Sequence, residues 1–173
     1  MTTTAAIRAG FNCVASIRAS DNALGAHGFA LAGLRAVDDV VARGGATPLR
    51  AARDAVFSDE SMFVIGDGNE VLTDYDESYH AEHFPMLLAF GKGGDPPASE
   101  VRDALLRDLR VVHAKVKPVV DAALEELRSK LFAADGYAAL ARRHEAMQGT
   151  VSEVMGLCKQ MARAEEVLRA ADD

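Results

Sequence analysis

The sequence predicts a mainly α protein: a helical bundle carrying one small β-hairpin, followed by a long C-terminal antiparallel helical hairpin of coiled-coil type. Three observations predict it. Apolar residues recur at steps of three and four through most of the 173 residues, strand-like patterning is confined to 62–73, and Gly and Pro crowd into 91–97. About half of the residues are apolar, yet only 6% are aromatic and none is Trp. Much of the apolar count is therefore Ala and Val, and Ala favours closely packed helices.

The elements follow in order. Ile7, Phe11, Val14 and Ile17 make one helical face, so a first helix is expected from Thr4 to Ala19. Ser20, Asp21 and Asn22 can end it and cap the next. The stripe Leu31, Leu34, Val37 and Val41 then carries a second helix to Gly44 and Gly45, where a left-handed C-cap costs least. Thr47 and Pro48 read as an N-cap and a first-turn proline opening a short helix toward Phe57.

Met62 to Ile65 and Glu70 to Thr73 are short β-prone runs on either side of Asp67-Gly68, a favoured two-residue turn, and predict the hairpin. Phe63 to Asp74 resembles the strand, turn and strand segment of sensory PAS or Cache domains. That resemblance covers about twelve residues and would imply a sheet of several strands. From Asp74 to Phe90 helix is expected in pieces, because Pro85 disfavours helix at Phe84. The segment 91–98 is a linker between a helical body, 1–90, and a helical hairpin, 99–173.

Ser99 can cap a long helix with the stripe Leu105, Leu109, Val112, Val116 and Val119, continued after a change of phase and a bend at Pro118 by Leu124, Leu127 and Leu131. A break at Ala133 to Gly136 precedes the most regular pattern in the chain. Tyr137, Leu140, His144, Met147, Val151, Val154, Cys158, Met161, Glu165 and Leu168 alternate steps of three and four, which is a coiled-coil seam. The helices on either side of the break are expected to fold back on each other, each about 30 residues and on the order of 45 Å long.

Charge and cysteine content narrow the function. The net charge is -7, with 7 basic and 13 acidic side chains in residues 1–98 against 12 and 13 in 99–173. No Lys/Arg cluster stands out, and nucleic acid is not an expected partner. Cys13 and Cys158 fit neither a disulfide framework nor a zinc spacing and suit a reduced, cytoplasmic or virion-type setting. The N-terminus lacks the basic and apolar regions of a secretory signal, and the least polar run, Ala23 to Val37, is too short to span a membrane.

Candidate sites are of two kinds. Asp76, Glu77, His80 and His83 would present carboxylate and imidazole on one helical face, a ligand set suited to a divalent metal, although it matches neither HExxH nor paired ExxH. The plainer expectation is an acidic, solvated helix start with exposed histidines and no cofactor. The interface candidates are the seam residues Leu140, His144, Met147, Val151, Val154, Cys158, Met161 and Leu168, with His144 either a satisfied core histidine or a protonation switch. Gly25, Gly28 and Gly33 do not form GxGxxG and are expected at close helix contacts, with His27 facing solvent or a hydrogen-bonded cavity.

No motif specifies a reaction. The expected function is a non-enzymatic assembly, adaptor or scaffold role through self-association, as a homo-oligomer, or through binding a partner helix. The alternative is a soluble sensory or regulatory module binding a small ligand or divalent metal in the N-terminal body.

Overall fold

A computed structural model describes residues 12–45, 47–57, 64–65, 71–72, 79–90, 95–132 and 137–173. Within these, side chains are described except in the two strands and at 131, 132, 137, 139, 140, 143 and 146. The chain is mainly helical. It divides into two compact units, Met1–Asp21 with His113–Asp173, and Asn22–Val112.

Helix α1, Cys13–Ala19, buries Cys13, Val14 and Ile17 and ends at Ser20. Helix α2, Asp21–Ala42, follows after that single residue and buries Leu24, Ala26, His27, Ala30, Gly33, Leu34 and Val37. Its end is the glycine stop expected from the sequence: Gly44 sits at φ +71°, and the N–H of Gly45 bonds to the Val40 carbonyl at 2.8 Å. Helix α3, Pro48–Phe57, opens on its proline and buries Leu49, Ala52 and Val56.

The hairpin expected over 62–73 is reduced to β1, Val64–Ile65, and β2, Val71–Leu72, paired antiparallel with Val64 opposite Leu72 and Ile65 opposite Val71. Residues 62–63, 66–70 and 73 lie outside the described residues. Two residues per strand cannot support a fold, and among the described residues no further strand joins the pair, so the implied PAS-like sheet is not found. Residues 79–83 are helical, and a new helix α4, Pro85–Leu88, starts after Phe84. Phe84 has φ -129°, outside the helical region, as a residue before proline should.

Helix α5, Ala98–Phe132, is 35 residues long and contains Pro118. Its buried residues include Val101, Leu105, Leu109, Val112, Val116, Val120, Ala123 and Leu127. These steps of three and four run past the proline without a change of phase, which corrects the expected shift: Val120 and Ala123 are buried, whereas Val119 and Leu124 are half-buried. Pro118 is exposed, and so is Ala114, whose carbonyl loses its helical donor to the proline ring. Water can satisfy that carbonyl, so the buried stripe on the other face continues.

The first half of α5 belongs to the Asn22–Val112 unit and the second half to the other unit. The compact units therefore do not part at the 91–98 linker. Packing of the first half explains why: a Cβ built on Gly33 of α2 would meet Val56 of α3 at 2.9 Å and Leu105 of α5 at 3.3 Å, and Arg102 of α5 bonds to Asp38 of α2 at 3.1 Å. These pairings run α2 and α5 antiparallel and bind the start of the long helix into the body.

Helices α6, Tyr137–Ala146, and α7, Gln148–Asp172, complete the chain, with a break at Met147 inside the seam that the sequence presents as continuous. Glu165 of α7 reaches His113 and Lys117 near the middle of α5, and Cys158 feels the charge of Asp121 one turn further on. Falling numbers on α7 thus meet rising numbers on α5, and the two helices are antiparallel.

Gly25 and Gly33 make a controlled comparison, because a Cβ on Gly25 would meet only the Tyr79 hydroxyl at 3.8 Å. Gly25→Ala is expected to raise stability by up to about 1 kcal/mol through helix propensity. Gly33→Ala should lower it by roughly 1 kcal/mol net, since the buried, β-branched Val56 has little room to move. Urea midpoints at constant m-value check both.

Candidate functional site

The candidate residues fall in two places, one in each unit. In the Asn22–Val112 unit, His80 and His83 are buried, which corrects the expectation of exposed histidines. Phe84 is fully buried behind them and draws this stretch inward. The His80 ring lies 4.1 Å from that of Phe57, the His83 ring 4.7 Å from that of Tyr79, and Phe57 meets Phe84 edge-on at 5.8 Å. His83 Nδ1 is 3.0 Å from the Tyr79 carbonyl, so the proton belongs on Nδ1 in that contact. The Tyr79 hydroxyl donates to the Asn22 carbonyl at 3.2 Å and anchors the cluster to the start of α2.

Asp76 and Glu77 lie outside the described residues. Among the described residues no group of three or more His, Cys, Asp and Glu is placed to hold a metal. His27 is also fully buried, which removes the solvent-facing one of its two expected placements.

Asp108 of α5 was not singled out by the sequence reading, since a lone Asp in an otherwise ordinary helix carries no motif. Its carboxylate is buried and accepts the backbone N–H groups of Met86 and Leu87, each at 3.0 Å. These are donors in the first turn of α4, so a side chain from another helix does the work of an N-cap. Burial pushes the Asp108 carboxyl above its ordinary value, while the two N–H groups pull it back.

In the other unit the interface candidates separate by depth. Met147, Val154 and Met161 are buried, Val151, Cys158 and Leu168 are half-buried, and His144 is exposed. The side chain of Leu140 lies outside the described residues. Thr150 and Ala164 are buried instead. The stripe that α7 turns inward within the chain is therefore Thr150, Val154, Met161 and Ala164, following the buried Met147 that precedes it, and it lies one position before Val151 and Glu165 at alternate steps. His144, on α6, is exposed and is not the satisfied core histidine that the sequence offered as one expectation. Half-buried Val151 and Cys158 are left beside Met155, which is 45% exposed.

The antiparallel pair is clamped by charge. Lys117 Nζ lies 3.0 Å from Glu165 Oε1 and 3.2 Å from Asp121 Oδ2, and His113 Nε2 is 3.5 Å from the same Glu165 oxygen. The Lys117 ammonium holds the Glu165 carboxyl below its usual range, and Glu165 followed by Asp121 holds the Lys117 ammonium above its own. On the far side, Glu126 of α5 accepts the N–H groups of Asn12 and Cys13 at 2.5 and 2.6 Å, across more than a hundred residues of sequence. Burial, with Glu126 alongside, pushes the Cys13 thiol up to about 11, which makes it unreactive near neutral pH.

Among the described residues no helix is long and apolar enough to cross a membrane. Comparison with protein-family models, curated proteins and solved structures finds no match to this chain.

The clamp sets a pH dependence. A carboxyl held below its ordinary value of 4.5 contributes stability that is present above that value and lost as pH falls through the lower, folded one. Glu165 and Lys117 are 36% and 43% exposed, so the contribution is roughly 0.5 kcal/mol. Between pH 5 and 3 the wild-type chain should lose about that much more stability than Glu165→Gln, measured by urea unfolding at each pH.

Proposed function

We propose that the chain is a non-enzymatic assembly, adaptor or scaffold module that works by docking helices, its own in a second copy or those of a partner protein. The observation that carries this reading is the double use of α7. One apolar stripe is buried within the chain, and the adjoining strip of Val151, Met155 and Cys158 is left half-buried to exposed. A helix that stays apolar beyond the stripe its own fold consumes is suited to a further helix, packed by ridges and grooves as in a coiled coil. An acidic chain with no basic cluster fits protein partners and not nucleic acid. A reduced interior, cytoplasmic or within an intracellular or virion-type assembly, fits two unpaired cysteines.

A second reading, a sensory module taking a divalent metal or small ligand in the body, draws support from the paired imidazoles of His80 and His83 among Phe57, Tyr79 and Phe84. Metal-dependent thermal stabilisation that His80→Ala with His83→Ala removes would favour it.

For the assembly reading, absolute mass is measured by light scattering across a hundredfold concentration range. Wild type should form a dimer or larger species, and Val151→Asp with Met155→Asp should shift it to monomer with helicity retained. A wild-type monomer that also captures no partner helix contradicts the reading.

A further inference from the structure

We draw no further inference here: the strongest candidate, the groove of about 320 Å³ between α1 and α5 lined by Asn12, Ser16, Pro118, Val119 and Ala122, carries none, because its charged lining residue, Glu126, is already taken up by the N–H groups of Asn12 and Cys13 and nothing in the structure shows what covers it.

Discussion

The buried stripe of α5 is the constraint on which the rest of the structure depends. Val101, Leu105, Leu109 and Val112 are core to one unit, and Val116, Val120, Ala123 and Leu127 to the other. Eight buried apolar side chains of this size, at roughly 1.5 to 3 kcal/mol each for the larger ones, outweigh any exposed ion pair in the chain. The polar groups on the same helix are placements more than sources of energy: Asp108 aims at the start of α4, Glu126 at the start of α1, and Lys117 at α7. A single helix thus sets where the beginnings of two other helices lie and how a third is clamped.

Pro118 shows how such a helix tolerates its own defect. A proline costs a helix one hydrogen bond and sets its ring against the carbonyl four residues earlier. Here both groups are exposed, so the cost is met by solvent and not inside the core. Pro118, Val119 and Ala122 also line a groove of about 320 Å³ beside Asn12, Cys13 and Ser16.

Local chemistry was readable from the sequence, and rotation about a helix axis was not. Gly44, Pro48 and Pro85 act where they stand, because φ restrictions and caps depend on one or two residues. Gly33 was recognisable as a close contact because a small residue in an apolar helix has few other uses. Along the tail Met147, Val154 and Met161 are buried as the 3.5-residue pattern expects, while at the alternate steps Thr150 and Ala164 lie deeper than Val151 and Glu165: both choices fit the pattern, and only the surface packed against the helix decides between them. The depth of His144, His80 and His83 is likewise not legible in sequence. Imidazole is neither polar enough to be forced out nor apolar enough to be drawn in, and Phe84 or the turn of α6 settles the matter. Asp108 and Glu126 act at long range, through backbone groups that leave no mark in sequence.

The central claim, that the stripe of α5 is core within each unit, is tested most directly by native-state hydrogen exchange along residues 98–132. A continuous stripe predicts slow exchange from Val101 through Leu127, with only the donor-deficient turn around Pro118 locally faster on its solvent face. Rapid exchange throughout 101–112 or throughout 120–127 would mean that the corresponding half of the stripe is not the core of its unit and would contradict the account.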